Sequence, residues 1–283
     1  MNDMELLLRP FQYDFFTRAL LVSAMAGLLC GVMGVYITTR RMSYIAHGLS
    51  HAILGGAVLS YVIGVNFYLG SGIWGFGAAL LIQYLSSRKI YADAAIGIVT
   101  TASFAMGIAI ISTYRGFTQS FEAALFGNVL GIAPADVWVV YSVATVLLGL
   151  IFVFYRPLLF WCFDREVAKI HGVPVVSMDV LFALMLAALL VTTLQILGVT
   201  MVISAVVIPA SIARLLSDRF SHMIFISAGL GAFFSLFGIY LSYYLDIASG
   251  ASVVLLSTIG FAITVIWSRL LQKRQISAQK IKI

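Results

Sequence analysis

Long apolar runs alternate with short polar breaks along almost the whole chain. Nine such runs stand out, at roughly 15–39, 44–64, 67–87, 94–113, 134–155, 176–197, 199–216, 222–245 and 251–270. A helix of about 20 apolar residues crosses the hydrocarbon core of a bilayer, so each run predicts a membrane span. The expected fold is an all-α polytopic membrane protein, with about nine transmembrane helices in one compact bundle. The sixth and seventh runs are separated by little more than Gly198, which leaves the count at nine give or take one. Two stretches break the pattern. Residues 114–133 carry Arg115, Glu122 and Asn128 and read as a loop with room for a short helix. Residues 156–175 run YRPLLFWCFDREVAKIHGVP. Within them Asp164 and Glu166 come early and Lys169 and His171 late, the order that suits a helix dipole, and Gly172 with Pro174 supplies a stop. A short amphipathic helix over 163–172 is predicted there.

Composition agrees. Of 283 residues, 62% are hydrophobic and 10% charged, whereas soluble domains keep about 25% charged. The formal charge of +6 needs no nucleic-acid partner, because the basic residues are sorted by loop. Arg40, Arg41, Arg88, Lys89, Arg156, Arg165, Lys169, Arg214, Arg219 and the five in the last fifteen positions follow odd-numbered spans, fourteen of the seventeen in all; only Arg9, Arg18 and Arg115 do not. Positive loops stay cytoplasmic. The N-terminal segment (1–14) is therefore expected outside, and the C-terminus, with a basic tail at 271–283, inside. Asp3, Glu5 and Arg9 precede the first apolar run, so no cleavable signal is expected. Cys30 and Cys162 lack ligand-like spacing and read as buried thiols. Gly27 and Gly31 form a G-x-x-x-G pair, which lets helices approach closely in lipid.

Polar side chains within apolar spans are costly and point to function. His47 and His51 are four residues apart, so a helix puts both imidazoles on one face, where they can share a metal ion; two histidines hydrogen-bonded between helices is the plain alternative. Asp93 begins the fourth span, Asp136 and Asp179 lie near the starts of the fifth and sixth, and Asp246 ends the eighth. Each is an N-cap, a solvated charge, or a gate or charge-compensating group; Asp93 and Asp246 are the two candidates for the last role. No lysine follows a glycine, so the chain has no P-loop, and neither G-x-S-x-G nor H-E-x-x-H occurs. ATP, if it drives anything here, is hydrolysed by another polypeptide, and this chain is not expected to be an enzyme. An intramembrane metalloenzyme would need a third ligand and a general acid or base that the sequence does not display.

RRMSYIAHGLSHAILGG, DAAIGIVTTASFAMGIAIIS, FDREVAKIHGVPV, VISAVVIPASIARLL and SYYLDIASGAS occur in that order. Together they resemble the permease subunits of manganese, zinc and iron ABC importers, over about residues 12–270. The resemblance implies a bacterial plasma-membrane importer of two permease copies, two cytoplasmic ATP-binding subunits and an extracytoplasmic metal-binding receptor, with no permanently bound cofactor. It makes the 163–172 segment the coupling helix, with Asp164, Glu166, Lys169 and Gly172 at the ATPase contact. The family's second span resembles R-x-S-x-x-G-D-x-x-S-H, whose aspartate and histidine contact the metal. His51 matches that histidine, while His47 stands at the aspartate position and Ala46 at the glycine. Imidazole suits zinc, iron, copper and nickel, and carboxylate suits manganese, so the departure tips the expected cargo slightly toward zinc. An ion-coupled secondary cation transporter and an iron-chelate permease are the alternatives.

The loop charges make orientation testable. A membrane-impermeant thiol reagent applied to intact cells is expected to label Glu122→Cys and to leave Ala278→Cys unlabelled; labelling of Ala278→Cys reverses the topology.

Overall fold

The computed structural model describes residues 9–114, 125–127 and 131–280, with side chains through residue 270. Among them every regular element is helical. After a 3-10 turn at Arg9–Gln12 come α1 (Asp14–Thr39), α2 (Ser43–Val62), α3 (Phe67–Ser86), α4 (Ala92–Thr113), α5 (Pro134–Val153), α6 (Tyr155–Phe163), α7 (Arg165–Ile170), α8 (Val175–Leu197), α9 (Val202–Leu216), α10 (Phe220–Leu245) and α11 (Ser249–Lys280). Lipid offers no hydrogen-bond partner to a backbone, and helices meet that constraint by bonding their own N–H and C=O groups. Most of the loop expected at 114–133 lies outside the described residues.

Among the described residues, eight helices are long and apolar enough to cross a membrane. The expected seventh span is the exception. α9 has 15 residues and a length of about 22 Å, short of the ~30 Å hydrocarbon core. The cause is local: Gly198 (φ 76°) ends α8, and the next helix does not start until Val202. Residues 198–201 take the place of a further helical turn. Thr200 Oγ1 donates to the Leu125 carbonyl at 2.8 Å and Ser50 Oγ to that of Val199 at 3.1 Å, so this stretch is not left unsatisfied.

α9 still carries the chain across. Arg40, just past α1, lies beside Asp179 at the start of α8, so these ends share one side, as four intervening crossings require. The other end of α8 meets the start of α11 through Ser249 Oγ and the Ile196 carbonyl at 3.2 Å. Phe220, opening α10, packs on Tyr36 at 5.2 Å and Phe163 at 5.5 Å, back on the Arg40 side. The chain between α8 and α10 therefore traverses the bundle, and nine crossings result.

α1 and α8 form the buried centre, with 72% of each apolar window covered. One face of α1 lies against α10 with almost no separation. A Cβ on Gly31 would run into the Ser227 carbonyl and stand 2.9 Å from Ala228 Cα; one on Gly27 would run into the Gly231 carbonyl. Ser227 Oγ uses the close approach to donate to the Gly31 carbonyl at 2.7 Å. Lipid tails are as apolar as leucine, so such backbone contact rather than solvent exclusion holds helices together.

The polar interruption folds as two pieces. Asp164 is extended (φ −151°, ψ 121°) and divides α6 from the six-residue α7, so the helix expected over 163–172 is shorter and Phe163 belongs to α6. Asp164 Oδ1 accepts from the backbone N–H groups of Glu166 (2.8 Å) and Val167 (3.2 Å), an N-cap. Lys169 pairs with Glu166 at 2.8 Å, and Gly172 closes the turn at φ 73°. Burial pushes the Cys162 thiol on α6 up to about 12, so it stays protonated, and among the described residues it belongs to no group of three or more His, Cys, Asp or Glu side chains. At the far end, the backbone of the expected basic tail continues α11 as helix to Lys280.

Because the obstacle at Gly31 is backbone, Gly31→Leu should destabilise the bundle by about 1–3 kcal/mol. The expected sign is a lower thermal midpoint in detergent, with Gly72→Ala as the neutral control, since nothing lies within 4 Å of a Cβ there.

Candidate functional site

His47 and His51 lie in the first half of α2, one turn apart and on one face, as their spacing predicts. Their ring centroids are 4.7 Å apart with planes at 77°. An ion about 2.1 Å from one nitrogen of each ring would set the centroids about 4.5–5.2 Å apart, over metal angles from octahedral to tetrahedral, so this spacing suits a shared ion. Among the described residues neither imidazole makes a hydrogen bond, which leaves the plain alternative of two histidines bonded between helices without support. Phe104 of α4 meets His51 edge-on at 5.4 Å and restricts its ring.

α2 meets α4 along a seam free of bulk. A Cβ on Gly48 would overlap the Ile96 side chain and stand 2.7 Å from Thr100 Oγ1; one on Gly55 would stand 2.5 Å from the Ser103 carbonyl. Beside this seam runs a cleft of about 380 Å³ lined by Tyr44, His47, Gly48, Asp93, Ile96, Gly97, Thr100 and Thr101. His47 is exposed and His51 half-buried, so the pair runs from the cleft toward the interior. Asp93, in the first turn of α4, shares the cleft with His47. Thr100 Oγ1 is buried without a hydrogen-bond partner beside Gly48. No set of three His, Cys, Asp or Glu side chains converges as a ready metal cage among the described residues.

Asp246 is elsewhere. It caps α10 in a left-handed conformation (φ 53°) and borders a different cleft with Phe15, Phe16 and Tyr243 at the opposite end of the bundle. The two aspartates grouped by sequence as gate or charge-compensating groups are therefore split: α4 begins on the side of His47, and α10 ends on the other. Asp136 is the buried carboxylate of that other side, accepting from Ala133 N–H at 2.7 Å and lying 3.0 Å from the Tyr68 hydroxyl.

A profile of the ABC 3 transport family matches residues 12–268. The chain belongs to that family. It is similar to the manganese transport system membrane protein MntC of Halalkalibacterium halodurans, 38% identical over 257 residues, 90% of this chain and 88% of that one. It is likewise 35% identical to a probable iron transport system membrane protein of Haemophilus influenzae, over 94% of each. A solved structure, PsaBC from Streptococcus pneumoniae in complex with Fab, superposes with a TM-score of 0.83 at 32% identity, over 92% of this chain and 95% of that one. As an ABC 3 member the chain is the permease of a metal ABC importer, a multi-pass protein of the bacterial plasma membrane, and a transport component rather than an enzyme. These two relatives are named for manganese and iron; neither name speaks of zinc, toward which the histidine at position 47 tipped the expected cargo.

The permease also contains a polar cluster that sequence reading passed over. Asp179, taken for a boundary charge, is 10% exposed and receives a two-pronged ion pair from Arg165 at 2.6 and 3.2 Å, together with Trp161 Nε1–H at 2.8 Å. Arg40 lies over the Trp161 indole at 4.0 Å and donates to the Trp161 carbonyl at 2.7 Å. Burial pulls the Arg40 pKa below its ordinary value, and the nearby Asp179 charge opposes that. Its only sequence signal was a lone aspartate near the start of a span.

The α2–α4 seam has no room for a methyl at position 48. Gly48→Ala should part the two helices and lower metal uptake by about tenfold, a change of about 1.4 kcal/mol, while Gly149→Ala on α5, whose Cβ meets nothing within 4 Å, leaves uptake unchanged. Uptake of the ion by cells at matched expression checks both.

Proposed function

We propose that this permease moves a bare divalent transition-metal ion past His47 and His51, which ligate it through neutral imidazoles. The observation that carries the proposal is the pair itself, two unbonded rings 4.7 Å apart beside a cleft. Two protein ligands hold an ion loosely, which suits transit, since an ion held too tightly does not leave. The pair brings no negative charge, so the ion's charge falls to water, backbone carbonyls and Asp93, which shares the cleft with His47. Direct ligands argue for an ion rather than a bulky chelate.

The cargo follows from ligand chemistry. Relatives bear the names of manganese and iron systems, but a two-histidine pair favours ions that accept imidazole readily, zinc and ferrous iron, over manganese. In this reading the basic side faces the cytoplasm, α7 docks on a separate ATP-binding subunit through Asp164, Glu166, Lys169 and Gly172, a second permease copy completes the membrane unit, and an external receptor delivers the ion to the side of Asp246. The exposure of all four α7-region residues supports a protein contact there.

Uptake of zinc, iron and manganese by cells carrying the intact importer tests the reading. His51→Ala should abolish uptake of every metal at normal expression, and His47→Ala should weaken it. His47→Asp adds a hard, charged oxygen donor and should shift the manganese-to-zinc ratio toward manganese by about tenfold, roughly 1.4 kcal/mol. Normal uptake by His51→Ala would mean that the pair is only packing.

A further inference from the structure

We infer that Asp179 is a positioning residue that ties the docking helix to the metal-binding helix, so that a push on α7 reaches α2. The inference rests on α7 being the ATPase contact, as proposed above, and adds the route by which that contact acts.

α7 is short, and most of it faces outward: Glu166, Val167, Lys169 and Ile170 are exposed. Arg165 is its inward tie. Its guanidinium grips the Asp179 carboxylate with two nitrogens, at 2.6 and 3.2 Å, and paired contacts of this kind fix orientation as well as distance. Asp179 Oδ1 also accepts from Trp161 Nε1 at 2.8 Å. Trp161 is 1% exposed and passes the contact on, because Arg40 stacks on its indole and donates to its carbonyl at 2.7 Å. Arg40 completes the set at 4.0 Å from Asp179. Four elements thus meet through one carboxylate: α6, α7, the start of α8, and the corner between α1 and α2.

That corner is taut. Arg41 has φ 58°, its N–H donates to the Thr38 carbonyl, and Met42 N–H donates to that of Ile37 at 2.9 Å. α2 begins at the next residue, and His47 comes one turn later. A displacement of Arg40 is therefore carried into the start of α2 instead of being absorbed by slack chain. Space exists for the movement. A cavity of about 600 Å³ adjoins the cluster, bordered by Arg40, Asp179 and Arg165, by Met42 and Ile45 of the α2 end, and by the end of α3. Packed interiors resist gradual deformation, so open space beside Met42 and Ile45 leaves the start of α2 room to move.

The test uses the complete importer, permease with its ATPase and receptor, in proteoliposomes, reading ions imported per ATP hydrolysed. Arg165→Gln removes the charge and the two-pronged grip from an exposed side chain and leaves the docking face intact. It should retain the ATPase at normal stoichiometry and keep hydrolysis within twofold, while imported ions per ATP fall about tenfold. Asp179→Asn, which keeps an acceptor for Trp161, should give the same signature; Arg165→Lys should restore part of the ratio. An unchanged ratio in Arg165→Gln overturns the inference. Equal falls of uptake and hydrolysis with loss of the ATPase, in Arg165→Gln or, where only that variant suffers it, in Asp179→Asn, also overturn it, by showing a merely structural tie. Failure of the unaltered importer to couple ATP to metal uptake would instead refute the proposed function.

Discussion

Everything in this permease depends on how closely one backbone can approach another in a solvent that does not reward burial. Lipid tails give apolar side chains no reason to leave them, so helices associate through contact and through hydrogen bonds that only contact permits. The α2–α4 seam is the case that shapes the candidate site. Gly48 and Gly55 present bare backbone to Ile96, Thr100 and Ser103. Because α4 is that near, Phe104 reaches the His51 ring and Asp93 shares a cleft with His47. The glycines set the distance between the groups that line the cleft. At α1 and α10 the same device works without chemistry, and Ser227 turns the proximity into a buried hydrogen bond to Gly31.

Polar groups are distributed unevenly around this frame. On the side opposite His47, Tyr68, Asp136 and Gln195 join α3, α5 and α8. On the histidine side, Arg40, Trp161, Arg165 and Asp179 join α1, α6, α7 and α8. Each cluster gathers helix ends, where backbone groups lack helical partners and side chains can serve them. The second cluster differs in pairing charges of opposite sign, and in connecting a short exposed helix to the corner that leads into α2. Its burial makes it costly to leave incomplete, which gives it the character of a rigid joint.

Membrane spans, loop charges and the histidine spacing were legible in the sequence because each is a local pattern: 20 apolar residues, a run of arginines, an interval of four. The composition of α7 was legible for the same reason, since an N-cap aspartate, an early glutamate and a late lysine act within one turn or two. Where local signals competed, the reading blurred. α9 looked like an ordinary span because hydropathy does not register that the turn at Gly198 delays the helix to Val202, and α6 was divided between a span and a loop because its nine residues mix Arg156 and Pro157 with a run of aromatics.

Tertiary structure alone decided which polar residues work together. Asp93 and Asp246 look alike in sequence, yet helix direction sends one to the histidine cleft and the other to the far side. Asp179 looked like a spare boundary charge until the fold brought Arg165 from 14 positions away and Trp161 from 18 to the same carboxylate. The unpartnered hydroxyl of Thr100 gave no signal at all. The physical reason is common to all three: a side chain's role depends on what lies across the helix boundary, and in lipid that neighbour is chosen by the fit of backbones, which no single segment encodes.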